Sequence, residues 1–206
     1  MSSVSFVVPV FNKSSYIKHV VNSISSQKGD FDKEYIFIDD GSTDDSLKIL
    51  KKETRKLKNC TIVSQKNKGS ANATNVGINL AKMKYIKFLD ADDVILSNAT
   101  FCLLNFLEKN QESVLAYGLQ SKVENIKLVD LEEEIDSNDY QILYNPILLA
   151  MRNSMFNPSQ FLVRRELCQK VGGCDERVIH SQEYSLTLRL SKLGTFIKIN
   201  YPIAIL

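Results

Sequence analysis

The 206-residue sequence lacks several features that would place it in a common class of protein. Its four cysteines form no C-x-x-C pair and no cysteine–histidine spacing typical of a metal site, so we expect free thiols in a reducing cytoplasm. No run of about 18 apolar residues is present, which predicts no membrane-spanning helix. The first residues also lack the basic, apolar and small-residue regions of a secretory signal. A net charge of +2 gives no general reason to expect a nucleic-acid partner.

Two glycine-rich motifs that bind phosphate are also missing. A dinucleotide-binding domain has G-x-G-x-x-G after its first strand, whereas residues 10–15 here are VFNKSS. The P-loop pattern G-x-x-x-x-G-K-[ST] occurs nowhere in the chain. A nucleotide bound by this chain would therefore need a metal ion, rather than a glycine-rich loop, to neutralise its diphosphate.

Strand-like and helix-like segments alternate through the first 93 residues. The strands are predicted at 4–9, 34–38, 61–64 and 84–89. The helices between them are predicted at 14–26, from about residue 44 onwards, and at 70–82. This alternation predicts an α/β fold in which parallel βαβ units form one Rossmann-like, mostly parallel twisted sheet flanked by helices.

Residues 94–206 show a less regular pattern. Helices are predicted at 97–109 with Ser97 as the N-cap, and at 140–151, 165–171 and 181–192, with strands at 113–118, 160–163 and 195–199. No linker or repeat separates the halves, so we expect a single domain (1–206) with two lobes, 1–93 and 94–206. The apolar ending at 201–206 resembles an interrupted strand and suggests a natural chain that extends further.

Polar segments follow three of the predicted strands, at 9–12, 39–43 and 90–93. Because the carboxyl ends of parallel strands meet at one edge of a sheet, we expect these segments to converge. The carboxylates at 90, 92 and 93 repel one another unless they are solvated or bind a cation, and both interpretations stay open from these residues alone. Asp39 or Asp40 could accept hydrogen bonds from a nucleoside, or could simply form a turn with Gly41.

Six motifs resemble, in order and spacing, those of family 2 glycosyltransferases with the GT-A fold. They are VVPVFN at 7–12, IDDGSTD at 38–44, NKG at 67–69 followed by NVG at 75–77, the D-x-D at 90–92, VGGCDE at 171–176, and the stretch 182–190. The resemblance covers nearly the whole chain and implies a nucleotide-sugar half, 1–93, and a smaller acceptor-side lobe, 94–206. It also implies inverting transfer of a sugar from a nucleotide diphospho-sugar, which we expect to be UDP-linked. The acceptor would be a hydroxyl of a glycan or lipid-linked glycan, as in bacterial surface polysaccharide synthesis.

The same resemblance implies roles for individual residues. The nucleotide-sugar would contact Pro9, Val10, Phe11, Asp39, Asp40, Asn67, Gly69, Thr74, Asp90 and Ala91. Asp90 and Asp92 would hold Mn²⁺ or Mg²⁺. Glu183 keeps a carboxylate where the family has its catalytic base, although its side chain is one methylene longer than the usual aspartate.

Three positions depart from the family pattern. Thr74 stands where an arginine often binds the diphosphate, and a neutral hydroxyl cannot replace that bidentate donor. Gln182 and Ser185 replace acidic residues. A catalytically silent nucleotide- or glycan-binding domain therefore stays open as an alternative. A nucleotidyltransferase is a further alternative, which the lack of a glycine-rich basic loop after the first strand disfavours.

Two features remain open to more than one interpretation. His180 could orient Glu183, bind the metal or be purely structural. The lysine-rich stretch 48–58 is either a solvated surface or a peripheral contact with anionic lipid at the inner face of the membrane. No aromatic residues are interspersed among these lysines, which argues against nucleic-acid binding.

Overall fold

One β-sheet with helices on both faces forms the centre of the molecule. The computed structural model of the chain describes residues 2–126, 129–152, 155–178 and 182–206. The strands are β1 (Ser3–Val10), β2 (Asp32–Asp39), β3 (Cys60–Ser64), β4 (Tyr85–Phe88), β5 (Val94–Ile95), β6 (Ser113–Ser121), β7 (Tyr140–Leu143), β8 (Phe161–Arg164) and β9 (Thr195–Ile205). The helices are α1 (Ile17–Ser25), α2 (Ser46–Glu53), α3 (Ser70–Leu80), α4 (Ala99–Lys109), α5 (Ile147–Arg152), α6 (Arg165–Lys170) and α7 (Gln182–Leu190), and a 3₁₀ turn spans Pro158–Gln160.

The first half of the sheet is parallel, as the alternating pattern predicts. Its order is β3-β2-β1-β4, and all three neighbouring pairs are parallel. The register pairs Val10 with Asp39, so β1 and β2 end at the same edge. Alternate residues of β1 enter different cores: Val8 packs with α1 and α4, whereas Val7 packs with α3.

The second half makes the sheet mixed rather than mostly parallel. Strand β8 lies between β4 and β6 and is antiparallel to both, whereas β6 and β9 are parallel. Strands β5 and β7 each pair with β9 in the antiparallel direction.

Two predictions about local structure are wrong. The helix predicted at 140–151 begins only at Ile147, because Tyr140–Leu143 forms β7 against β9. Pro146 explains this boundary, since a proline fits just before a helix but disrupts its interior. The predicted cap at Ser97 is also wrong: the Thr100 amide in the first turn of α4 donates to Oε1 of Gln27, 3.0 Å away.

The remaining predicted elements are present, with shifted ends. Strand β9 differs most, because it continues through Pro202 to Ile205 rather than ending at residue 199. The apolar segment at 201–206 therefore belongs largely to the sheet, where the Leu206 amide donates to the Ser121 carbonyl.

Two further findings concern the cysteines and the possibility of a membrane-spanning helix. All four cysteines are free thiols. Among the helices in the described ranges, none combines the length and the apolar character that crossing a bilayer would require. The cytoplasmic location stays a prediction.

The contact between α3 and β1 predicts how the core responds to one added carbon. A Cβ at position 77 would lie 2.3 Å from Cγ1 of the fully buried Val7. We expect Gly77→Ala to lower the free energy of unfolding by about 1–3 kcal/mol, because overpacking outweighs the better helix propensity of alanine. Urea unfolding followed by circular dichroism measures the change.

The matched control combines Gly77→Ala with Val7→Ala, which removes the atom that clashes. The cost of the double variant should be smaller than the sum of the two single costs. Strict additivity would contradict the close contact between Gly77 and Val7.

Candidate active site

Most of the predicted donor-binding residues line one cavity of about 520 Å³ at the carboxyl ends of β1, β2 and β4. The predicted residues on its wall are Pro9, Val10, Phe11, Asp40, Asn67, Gly69, Asp90, Ala91 and Asp92. Lys13, Ser70 and Ala73 complete the lining. These residues come from four separate segments, so the convergence expected from a parallel sheet is realised in the fold.

Reciprocal hydrogen bonds join the loops that follow β1 and β2. Oδ1 of Asn12 accepts from the Thr43 amide (2.8 Å), and Oγ of Ser42 accepts from the Asn12 amide (3.1 Å). Asn12 has a φ of 52°, a left-handed conformation that asparagine tolerates better than most residues. These bonds hold the Pro9–Phe11 side of the cavity against the end of β2.

Asp40 shapes the opposite wall. Its Oδ1 accepts from Nε2 of Gln65 (2.8 Å) and from the Lys68 amide (2.9 Å), and its Oδ2 accepts from the Gly69 amide (2.8 Å). Asp40 is only 3% exposed. One carboxylate therefore fixes the loop at 65–69, which carries Asn67 and leads into α3.

Two predicted donor-binding residues do not line this cavity. Asp39 is 2% exposed, and its carboxylate accepts from Oγ of Ser64 (2.8 Å) and from the Ser42 amide (3.3 Å). Thr74 is buried within α3. Donor contact by either residue stays a prediction, and the hydrogen bonds of Asp39 give it an architectural role in the β2 turn.

The acidic segment after β4 has an unfavourable local charge. Burial raises the pKa of Asp90 to about 7. Repulsion from Asp93, Asp92 and Glu183 acts in the same direction, whereas Lys13 opposes it. Burial likewise raises the pKa of Asp93 to about 6. The segment is therefore suited to gain positive charge, either as a proton or as a cation.

Lys13 is a site residue that the motif comparison missed. Its Nζ lies 2.5 Å from Oδ2 of Asp92, and both side chains are about one-third exposed, at 35% and 38%. Burial opposes the charge on Lys13, but the hydrogen bond and ion pair with Asp92 raise its pKa overall. In the sequence, the one indication that Lys13 belongs to the site is its position directly after the VFN segment that closes β1.

Asp90 and Asp92 fit a divalent cation whose remaining ligands come from a substrate. Within the described ranges, no group of three or more acidic, histidine or cysteine side chains is arranged to hold a metal by the protein alone. Mg²⁺ is commonly bound by one or two carboxylates plus phosphate oxygens. Asp90 and Asp92 provide such a pair, and a cation would relieve the repulsion that raises the pKa of Asp90.

Glu183 lies in the first turn of α7 and borders a second cavity of about 440 Å³. It is 8% exposed, and its charge contributes to the raised pKa of Asp90, so the two carboxylates interact across the two halves of the chain. The rest of this second cavity is lined by Leu119, Gln120, Met155, Phe156, Asn157 and Gln160. His180 lies outside the described residues, so its predicted role is untested.

Other predicted motifs serve to join the two halves. The amide of Asn75 in the NVG motif donates to the Cys174 carbonyl (2.9 Å) and to Oε1 of Glu176 (3.0 Å), and its oxygen accepts from the Cys174 amide (2.7 Å). Ser185, one of the departures from the family pattern, accepts from the Asp175 amide (2.9 Å). These residues fix α3 against the segment before α7 and so set the position of Glu183.

A family model described as glycosyl transferase family 2 matches residues 5–172. The chain belongs to this family. The match extends over most of the chain, and it confirms the family that the motifs indicated.

Comparisons with individual proteins agree with this assignment. A chondroitin synthase from Escherichia coli is 30% identical over 198 residues, which are 96% of this chain and 28% of that protein. The chain thus spans only about a quarter of the length of that relative.

Solved structures confirm the GT-A fold. Residues 1–349 of TarS from S. aureus, in complex with UDP-GlcNAc, align with a TM-score of 0.78 and 19% identity, covering 100% of this chain and 58% of that one. The mannosyltransferase PcManGT from Pyrobaculum calidifontis, in complex with GDP-Man and Mn²⁺, aligns with a TM-score of 0.71 and 17% identity, covering 98% and 56%.

The raised pKa values predict how stability depends on pH when no divalent cation is present. Folded Asp90 keeps its proton up to a pH of about 7, whereas the unfolded side chain loses it near its ordinary value of 3.8. Between these values the folded state binds more protons, so the free energy of unfolding should fall as the pH rises from about 4.5 to about 6.5. Urea unfolding in the presence of a chelator measures this slope.

Asp90→Asn is the matched variant, because it keeps the shape of the side chain and removes the titration. Its slope over the same interval should be shallower than that of the wild type. Identical slopes would show that Asp90 does not carry a raised pKa in the folded chain.

Proposed function

We propose that this chain transfers a sugar from a UDP-linked donor to an acceptor hydroxyl, with inversion at the anomeric carbon, during synthesis of a bacterial surface polysaccharide. One observation supports this proposal most. Asp90 lines the cavity formed by the predicted donor-binding residues, and Glu183, the predicted base, is near enough for its charge to raise the pKa of Asp90. The TarS complexes with UDP and UDP-GlcNAc and the chondroitin synthase relative support the choice of donor and product class.

The nucleoside would lie between the Pro9–Phe11 strand end and the loop held by Asp40. Phe11 is 45% exposed, so its ring is free to cover an aromatic base. Asn67 and the Gly69 backbone would line the ribose side of the cavity.

The diphosphate would lie at the acidic segment. Asp90 and Asp92 would hold Mn²⁺ or Mg²⁺, which supplies positive charge against the departing nucleoside diphosphate. Lys13 lies on the same wall and would contribute a second positive charge. Lys13 would thereby replace part of the positive charge that the family's arginine would supply at position 74, where this chain has threonine.

The acceptor would occupy the second cavity. Its apolar residues, Met155 and Phe156, suit the face of a sugar ring, and its amide side chains suit hydroxyl groups. Glu183 would accept the hydroxyl proton as the oxygen attacks the anomeric carbon, while the nucleoside diphosphate leaves from the opposite face. Attack opposite to the leaving group inverts the anomeric centre.

The acceptor is a glycan or a lipid-linked glycan. The side chains of Lys48 and Lys52 on α2 are 82% and 76% exposed, so this face is open to anionic lipid. A peripheral position at the inner face of the membrane would bring the site to a lipid-linked acceptor.

Calorimetric titration of UDP with and without Mn²⁺ tests the donor site. The wild type should bind UDP in a Mn²⁺-dependent manner, and Asp92→Ala should lose that dependence because one of two carboxylate ligands is removed. Glu183→Gln should retain binding but lower kcat by about 10²–10⁴-fold with the active donor, because the proton acceptor is lost.

The outcomes separate the alternatives. Mn²⁺-dependent binding without transfer or donor hydrolysis would indicate a silent binding domain. Release of pyrophosphate from a nucleoside triphosphate and a sugar phosphate would indicate a nucleotidyltransferase. No binding of UDP, GDP, CDP or dTDP would contradict the proposed donor site.

The proposed role of Lys13 is tested by neutralising its charge. Lys13→Met should weaken Mn²⁺-dependent UDP binding by about tenfold, the usual effect of losing one charge-assisted hydrogen bond. Lys66→Met is the control, because Lys66 is exposed and does not line the cavity. Weaker binding in Lys66→Met, with no change in Lys13→Met, would assign the diphosphate contact to the loop lysine instead.

A further inference from the structure

A lysine is fully buried directly beneath the acidic segment. Lys87 lies in β4 with 0% exposure, and its Nζ donates to the carbonyl of Phe88 (3.2 Å) and to the carbonyl of Ser159. A buried amino group is costly unless its hydrogen bonds are satisfied, so an apolar side chain would serve packing alone more cheaply. The proposed transfer reaction uses neither Lys87 nor Ser159.

Ser159 connects this lysine to the acidic segment. It lies in the 3₁₀ turn with 0% exposure, and its Oγ donates to Oδ2 of Asp93 (2.5 Å). The same Oγ accepts from the Asp90 amide at 3.0 Å. One hydroxyl therefore contacts both ends of the segment that contains the D-x-D motif, while the carbonyl of the same residue is held by Lys87.

The 3₁₀ turn also reaches the second cavity. Two residues at the ends of the turn bond to β6: Nε2 of Gln160 donates to the Gly118 carbonyl (2.8 Å), and Nδ2 of Asn157, the N-cap of the turn, donates to Oε1 of Gln120 (2.7 Å). Asn157, Gln120 and Gln160 line the cavity that Glu183 borders. The turn thus lies between the donor-side carboxylates and the acceptor-side wall.

We propose that Lys87 and Ser159 are positioning residues that hold the D-x-D segment and the acceptor-side wall in a fixed relative position. This inference rests on the proposed function of the two cavities. Neither residue touches the substrate; both act through Asp90, Asp93 and the 3₁₀ turn. Their polar groups serve the alignment of the two sites rather than the stability of the core.

Ser159→Ala tests the inference, with Ser113→Ala as the matched control. Ser113 is also buried, and its Oγ lies 2.8 Å from Oγ1 of Thr195, away from both cavities. Both variants lose one buried hydroxyl and should lower the unfolding temperature to a similar degree. Only Ser159→Ala should weaken Mn²⁺-dependent UDP binding, by about tenfold, and lower kcat as well.

Lys87→Met provides a second test. Methionine fills a similar volume, but it removes the donor shared by the buried carbonyls of Phe88 and Ser159, so the unfolding temperature should fall. Mn²⁺-dependent UDP binding should weaken as well. Unchanged binding and unchanged kcat in both Lys87→Met and Ser159→Ala would overturn the inference.

Hydrogen exchange decides the inference even if the donor site itself is disproved. The Asp90 amide donates to Ser159, so Ser159→Ala should accelerate its exchange and also that of the 3₁₀ turn, whereas Ser113→Ala should leave both unchanged. Unchanged exchange in both segments would refute the positional link. Faster exchange without any UDP binding by the wild type would sustain the link and reject the proposed function.

Discussion

Repulsion among carboxylates at the end of a buried strand is the constraint on which the site depends. Asp90 and Asp93 follow β4 at the centre of the sheet, and burial raises the pKa of both. Polar groups surround these carboxylates: Lys13 after β1 and Ser159 before β8 come from distant parts of the chain, and Lys87 lies within β4 itself. A site that stores unfavourable negative charge in this way favours the arrival of a positive charge, which relieves the repulsion.

The motifs that identify the family contain residues with two physical roles. Pro9 and Asp92 line the cavity at the carboxyl ends of β1, β2 and β4. Asn75 ties α3 to the segment before α7, and Asp40, which also lines the cavity, fixes the loop at 65–69 through three hydrogen bonds. A motif match therefore reports the architecture of the site as much as its chemistry.

The chain matches only part of the length of its relatives. It spans 28% of the chondroitin synthase and 58% of the TarS fragment, yet both alignments cover nearly all of this chain. The fold and the family follow from that coverage. The donor and the acceptor are proposals that rest on the two cavities, because distant similarity of fold does not transfer substrates. The membrane contact is a proposal that rests on the exposed lysines of α2.

The sequence by itself determined the α/β class, most helices and strands, the family and the sheet edge at which most candidate site residues meet, because apolar periodicity and motif order are local properties. Tertiary structure alone decided the antiparallel strands of the second half and the strand at Tyr140–Leu143, which forms because β9 offers an edge. It also decided that Asp40 and not Asp39 faces the cavity. Adjacent residues at a strand end point in opposite directions, and only the packed sheet shows which direction leads to the site. The contacts of Lys13 and Ser159 with the acidic segment are set by tertiary structure for a related reason: they join residues 79 and 66 positions apart in the chain, a distance that only folding closes.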